Sequence, residues 1–255
     1  MTASTSRPAP GGPLLDALLD VSGLSAWYGA AHILFDVALQ VRPGEVVALM
    51  GRNGAGKSTT LKAIMGMVDR RQGQVRFMGQ DIARQPPHAI ARAGLGYVPE
   101  DRRIFTDLTV LENLEVGRQP PRTGTEGRAI EAWTPKRLFR LFPNLGEMPD
   151  RLGGRMSGGE QQMLTVARTL MGNPHLVLLD EPSEGVAPVI VEGMAQMILE
   201  LKAAGVSILL SEQNLHFAEW VSDRAYVLEK GQIRYEGSMA DLAADEDVRR
   251  AYLSV

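Results

Sequence analysis

Cysteine is absent from the 255 residues, which excludes disulfide scaffolds, thiolate metal sites and cysteine nucleophiles together and is compatible with a reducing compartment. Histidine is scarce. His32, His88, His175 and His216 carry no metal-ligand spacing, so they read as solvated or hydrogen-bonded side chains. Long apolar runs are missing too: Val46 to Met50, Leu176 to Leu179 and Ile208 to Leu210 fall far short of the ~18 residues that a membrane span requires. There is no large excess of one charge, since 27 Lys and Arg face 30 Asp and Glu for a formal net charge of −3; a protein that coats nucleic acid is excluded. No segment recurs with a period of roughly 20 to 50 residues, which argues against a solenoid.

What is present is an ordinary globular composition, 44% hydrophobic and 22% charged, enough to bury one sizeable core and incompatible with wholesale disorder. Residues 1–17 are expected to form a disordered tail rather than a secretory signal, because MTASTSRPAPGGP has one Arg and no apolar stretch. The stretch Leu18 to Tyr28 is irregularly apolar and Ile33 to Val41 alternates, which suggests an antiparallel β entry. Pro43-Gly44 makes a turn, Glu45 to Met50 reads as a buried strand, and GRNGAGKST leads into a helix with Leu61, Ile64, Met65 and Val68 on its apolar face. Further strands are expected at Gln74 to Phe77, Leu176 to Leu179, Val206 to Ser211 and Arg224 to Leu228. Helical patterns between the later strands imply an α/β fold, a mostly parallel sheet covered by helices. From about residue 101 to 164 helical patterns such as Val110 to Val116 and Lys136 to Phe142 replace strands, which marks an inserted helical lobe. Within it Gly117 to Gly127, rich in Gly, Pro and Arg, reads as a mobile surface loop.

The chemistry is concentrated in three motifs. Gly51-Arg52-Asn53-Gly54-Ala55-Gly56-Lys57-Ser58, followed by Thr59, has the spacing of a phosphate loop. Its glycines let backbone N–H groups turn inward around phosphate oxygens, the next helix points its positive dipole end at them, Lys57 neutralises β/γ charge, and the Ser58 hydroxyl suits Mg²⁺. Leu176 to Glu181 is an apolar strand ending in two carboxylates at the sheet's ligand-binding edge. Asp180 can hold the metal, and Glu181 can orient and polarise an attacking water. Ser157-Gly158-Gly159-Glu160 opens a further helical stretch. It reads as a capping box, and its glycine-rich N-terminus also offers free N–H groups to a second anion.

The phosphate loop, MSGGEQQ (Met156 to Gln162) and LLDEP (Leu178 to Pro182), in this order and separation, resemble the ATP-binding cassette family over residues 18 to 255. The resemblance implies a P-loop, RecA-like core with an antiparallel β subdomain and an inserted helical subdomain at about 101–164. It implies ATP and Mg²⁺ as ligands, and a composite site in which Ser157, Gly158, Gly159 and Glu160 of one subunit close over the nucleotide on another. Tyr28, in Trp27-Tyr28-Gly29, corresponds to an aromatic that stacks on adenine. Glu100, ending Gly96-Tyr97-Val98-Pro99-Glu100, stands where the family usually has Gln; as a carboxylate it could ligate the metal, but it also adds repulsion near phosphate. Gln213, in Ser211-Glu212-Gln213-Asn214, replaces the usual His, and can donate an amide hydrogen bond to a γ-phosphate but cannot titrate. The loop after Glu181, which usually ends in Leu-Asp, runs Ser183-Glu184-Gly185-Val186-Ala187-Pro188. These departures could weaken the ATPase site.

Together VPEDRRIF, MSGGEQQML, DEPSEGVAP, EQN and the closing Ala251-Tyr252-Leu253 resemble the second ATPase subunit of branched-chain amino-acid or amide (urea-type) importers. That implies catalytic roles for Glu181, Lys57 and Gln213 and metal contacts for Ser58, Asp180 and Glu100. It implies as partners a sister ATPase, two permeases and an extracytoplasmic binding protein, and a location on the cytoplasmic face of the membrane. A soluble cassette acting on nucleic acid or ribosomes, and a small-molecule kinase with the same phosphate loop, are the rival classes; the first lacks its tandem cassettes here and the second leaves SGGE unexplained. Among the twelve methionines, Met65, Met67, Met163 and Met171 are expected to fill the core or line a groove for a permease helix. Arg102, Arg103, Arg118 and Arg122 are expected on a solvated face.

Overall fold

The computed structural model describes residues 17–123 and 131–253. The expected tail, apart from Ala17, and residues 124–127 of the Gly117 to Gly127 segment lie outside them. Strand β1 (Leu19–Tyr28) turns through Gly29-Ala30 into β2 (Ala31–Val41), and the two pair antiparallel. After β3 (Val46–Met50) and helix α1 (Lys57–Ile64), β4 (Arg70–Phe77) pairs with β1 and with the short β5 (Gln80–Asp81). The resulting antiparallel sheet has the order β2-β1-β4-β5.

The chain then runs through α2 (Pro87–Ala93), β6 (Leu95–Val98), α3 (Val110–Val116), α4 (Pro135–Leu141), α5 (Pro143–Gly146), α6 (Gly158–Leu170) and β7 (Leu176–Asp180). It continues through α7 (Pro188–Ala203), β8 (Ser207–Glu212), α8 (Leu215–Val221), β9 (Arg224–Glu229), β10 (Gln232–Ser238) and α9 (Met239–Ala244). The second sheet has the order β10-β9-β3-β8-β7-β6, parallel except for the β9–β10 hairpin. That hairpin turns on Lys230 and Gly231, both at positive φ. A side chain on Gly231 would also collide with the Ile33 carbonyl of β2, so only glycine fits this turn.

Every residue of β3, β7 and β8 is buried, because both faces of this sheet are covered. Successive side chains alternate between two cores. Leu176, Leu178 and Leu209 join α1 and the inner face of the antiparallel sheet, whereas Val177, Leu179, Ile208 and Leu210 pack beneath α3 to α8. Between β6 and β7 the named elements are helical. Residues 101–164 hold α3, α4, α5 and the first half of α6, and Thr109 caps α3 through a reciprocal bond with Glu112. Among the described residues no helix is long and apolar enough to cross a membrane.

The expected strands at Glu45 to Met50, Leu176 to Leu179, Val206 to Ser211 and Arg224 to Leu228 are present within a residue or so. Gln74 to Phe77 is the end of β4, in the antiparallel sheet. Strands β6 and β10 extend the sheet beyond the sequence reading. The arginines do not form one solvated face. Arg103 and Arg118 are exposed and paired with Asp101 and Glu115, but the Arg122 guanidinium turns inward to the carbonyls of Arg92, Ala91 and Gly172, and Arg102 lies against Gly158. Carbonyls at and beyond the ends of α2 and α6 attract a cation there. Met65, Met163 and Met171 are buried and Met67 is exposed.

Candidate active site

The parallel register decides which loops meet. Met50 lies level with Glu212, and Asp180 with Ser211, so the loops leaving β3, β7 and β8 emerge side by side at the strands' C-terminal edge, where ligands of such sheets bind. The first of these is the phosphate loop. Gly51, Gly54 and Gly56 adopt φ of 155°, 79° and 109°, and a Cβ on Gly51 would collide with the Leu228 carbonyl. Backbone geometry, not side chain, is what these positions need. Arg52, Asn53 and Gly54 are exposed, Ala55 is buried, and Ser58 and Thr59 are partly buried in the first turn of α1.

Lys57 is 3% exposed. Its ammonium donates to the Gly51 and Arg52 carbonyls at 2.8 and 3.2 Å and pairs with Glu181 Oε1 at 3.0 Å. Glu181 is 7% exposed and has a left-handed backbone, φ 46°, a conformation that costs a non-glycine residue on the order of 1 kcal/mol. Burial pushes its carboxyl up, but hydrogen bonding to Glu184 and the Lys57 ammonium outweigh this and hold it below the usual carboxylate range. The shared hydrogen bond with Glu181, then desolvation and the negative charges of Glu181 and Glu100, push Glu184 up to about 7.

A proton held more tightly by the folded chain than by the unfolded one stabilises the fold most at low pH. The Glu184 contribution is therefore complete below its ordinary value of 4.5 and lost as pH rises through about 7. Glu184→Gln should remove this dependence, so the unfolding free energy of the native chain relative to the variant is expected to fall between those pH values, modestly because Glu184 is exposed. A difference that grows with pH would contradict this assignment.

Asp180 is fully buried and collects three hydroxyls. Ser58 Oγ donates to Oδ1 at 2.9 Å, Ser211 Oγ to Oδ1 at 3.1 Å, and Tyr97 OH to Oδ2 at 3.0 Å. Burial and the Asp180 charge push the Tyr97 phenol up, so it stays a donor. Ser58 and Asp180 thus offer two adjacent hard oxygens. Among the described residues no cluster of three or more His, Asp or Glu could cage an ion. This donor set fits Mg²⁺, which is held by one or two protein oxygens and completes its shell with water and substrate phosphate.

Other expected residues stand further out. Tyr28 is 49% exposed at the β1–β2 turn, while its neighbour Trp27 is stacked on His32 at 4.2 Å with Arg70 over its other side; the Tyr28 ring is thus open to a flat ligand. Glu100 is exposed beyond β6, and its charge reaches Glu184. Gln213 is exposed just past β8. Ser157 caps α6 by the expected box, accepting from Glu160 N at 3.4 Å while Glu160 accepts from Ser157 N at 2.7 Å. The neighbours of Gly158 and Gly159 are Arg102 and Ile190, so this helix end meets other residues than loop 51–59.

Three site residues were not singled out from sequence: Tyr97, Ser211 and Glu212. The strand β8 runs one residue further than expected, which draws Glu212 into the interior at 1% exposure. Burial pushes its carboxyl up, opposed by hydrogen bonds from Ser183, Asn214 and Gln213. The only signal is a carboxylate separated by Ser211 alone from the apolar run Ile208 to Leu210.

Comparison with known proteins agrees with this geometry. Residues 34–184 match the family described as ABC transporter. The high-affinity branched-chain amino acid transport ATP-binding protein BraG of Pseudomonas aeruginosa is 41% identical over 236 residues, 92% of this chain and 99% of that one. The lipopolysaccharide export system ATP-binding protein LptB of Haemophilus influenzae is 35% identical, over 93% and 97% of the two chains. Among solved structures, a nucleotide-free ATP-binding cassette from an ABC transporter superposes with a TM-score of 0.75 at 29% identity, covering 91% of this chain and 97% of that one. The ADP conformation of another such cassette gives 0.75 at 28% identity, covering 92% and 97%. The chain belongs to the ABC transporter family, as an ATPase whose hydrolysis of ATP is coupled to transport.

Proposed function

We propose that this chain energises an importer of branched-chain amino acids, working at the cytoplasmic face of a membrane with a sister ATPase, two permeases and, indirectly, a binding protein. The observation that carries the hydrolytic part is the convergence of Lys57, Ser58, Asp180 and Glu181 at one edge of the parallel sheet. Likeness to the branched-chain amino acid transport protein supports the cargo class.

On this reading ATP lies along residues 51–59, its adenine on Tyr28 and its phosphates in the backbone N–H groups that Gly51, Gly54 and Gly56 turn inward. Lys57 exchanges Glu181 for phosphate oxygens. Ser58 and Asp180 would hold Mg²⁺, which when bound offsets charge on the β- and γ-phosphates. Glu181, released from Lys57, orients the attacking water and accepts its proton as the water oxygen bonds the γ-phosphorus and the bond to the β-phosphate oxygen breaks. Gln213 donates its amide to the γ-phosphate, and Ser157, Gly158, Gly159 and Glu160 reach the same nucleotide from the second cassette. Glu100 sits exposed at the rim, where its charge bears on Glu184. The groove of about 650 Å³ between α2, β6 and α6, bordered by Met65, Tyr97 and the exposed Phe105 and Val116, suits an apolar permease helix.

The test is reconstitution with the cognate permeases and binding protein in vesicles. ATP hydrolysis should rise several-fold with leucine, isoleucine or valine at the binding protein. Stimulation by urea or a short amide alone, or by none of these, would overturn the cargo assignment.

A further inference from the structure

We propose that Glu212 is a positioning residue that fastens the loop after Glu181 to the loop bearing Gln213, so that the two move as one unit during hydrolysis. The proposal rests on the functional reading above. It begins with a buried carboxylate that no step of that reading uses. Among the described residues no cation pairs with Glu212. Its partners are backbone N–H groups on both loops, together with the Ser183 hydroxyl: Oε1 accepts from Ser183 N at 3.2 Å, and Oε2 accepts from Gln213 N and Asn214 N, each at 3.1 Å.

The two sides of this bridge lie beside the reacting groups. Ser183 is two residues beyond Glu181, whose own N–H continues the β7–β8 ladder to the Ser211 carbonyl at 3.0 Å. Loop 181–184 is therefore held to the end of β8 twice, once through backbone and once through Glu212. On the other side, Asn214 caps α8 by accepting from Phe217 N at 3.1 Å, so the bond to Asn214 anchors the Gln213 turn between a strand and a helix.

Burying an anion without a cation is unfavourable, and either loop alone could be closed by a hydroxyl or an amide. A carboxylate offers something neither has, two equivalent acceptors on one rigid group. A glutamine has one acceptor, so it cannot accept from the backbone N–H groups of both loops: with its oxygen on the Gln213–Asn214 turn, its NH₂ faces the Ser183 N–H and keeps at most the Ser183 hydroxyl as a partner. The carboxylate thus makes the placement of Glu181 depend on the placement of Gln213.

The experiment is steady-state ATP hydrolysis by the full-length chain reconstituted with its sister ATPase and permeases. Glu212→Gln is expected to lower kcat about tenfold while KM and the affinity for ATP stay within about twofold, because misplacement of groups near the reaction costs rate rather than ground-state binding. Glu212→Asp, which keeps two acceptors on a shorter stem, should recover part of that loss. In a Gln213→Ala background the Glu212→Gln loss should shrink to about twofold, as coupled residues require. An unchanged kcat, a raised KM at constant kcat, or the full loss in both backgrounds would overturn the proposal. Should Glu212→Gln fail to fold, amide exchange of the native chain decides: Ser183, Gln213 and Asn214 are expected to open together, and unrelated protection would overturn it. If Glu181→Gln turns over normally the functional reading itself fails; if Glu181→Gln is dead and Glu212→Gln normal, only this inference does.

Discussion

Glu181→Gln is expected to bind ATP as the native chain does and to hydrolyse it about a hundredfold to ten-thousandfold more slowly, the range that loss of a general base produces. The substitution is nearly isosteric. Gln Oε1 can still accept from Lys57, 3.0 Å away in the native pair, so the base of the phosphate loop keeps its packing, and the amide can still bond Glu184. What is lost is the acceptor for the proton of the attacking water, together with one negative charge that would repel the γ-phosphate. Affinity should therefore hold or rise while turnover falls, and two cassettes should stay joined around unhydrolysed ATP. Single-turnover hydrolysis, nucleotide titration and gel filtration at saturating ATP measure the three effects separately. Turnover within about threefold of the native chain would remove Glu181 from the chemistry, because an enzyme base with so small an effect is not acting as one.

How much of this site could be read before folding depended on where its partners lie along the chain. The phosphate loop was legible because its requirements are contiguous: turn-forming glycines, then Lys57 and Ser58 in one helical turn. Asp180 and Glu181 were legible as carboxylates ending an apolar strand. Tyr97 and Ser211 were not, since they reach Asp180 only through the lateral register of β6, β7 and β8, and nothing near them in sequence says which strands will be neighbours. Strand β6 is four residues with a glycine in it, too short to show the apolar alternation by which strands are found; β10 does alternate, with Ile233 and Tyr235 between Gln232, Arg234 and Glu236 along a sheet edge, but only two apolar residues carry the pattern. Glu212 lies one residue past the strand expected at Val206 to Ser211, where a carboxylate is ordinarily solvated; three backbone donors from two loops make its burial tolerable. The same reasoning misplaced Arg122. A Gly/Pro-rich segment looks like surface, yet three carbonyls around the half-buried guanidinium take its Nε, Nη1 and Nη2 donors.

Lys57→Ala should have the second large effect, and on two properties that can be told apart. The first is affinity. Without the ammonium the β/γ charge is met only by backbone N–H groups and whatever cation accompanies the nucleotide, and loss of a charge-assisted bond of about 1.5–3 kcal/mol weakens binding roughly tenfold to a hundredfold. The second is stability of the fold itself, because removing Lys57 leaves the 7% exposed Glu181 carboxylate without its cation, and breaking a buried pair from one side costs about 3–5 kcal/mol before the carboxyl takes up a proton or relaxes outward. Glu181 should then titrate higher than in the native chain, since the ammonium is one of the groups that hold it down. Thermal unfolding of Lys57→Ala should accordingly improve as pH falls. The double variant Lys57→Ala/Glu181→Gln, in which no charge is stranded, should recover most of the stability and none of the ATP affinity. Recovery of both would mean that Lys57 acts only as a structural counter-ion to Glu181, and recovery of neither would mean that its bonds to the Gly51 and Arg52 carbonyls, at 2.8 and 3.2 Å, hold the loop by themselves.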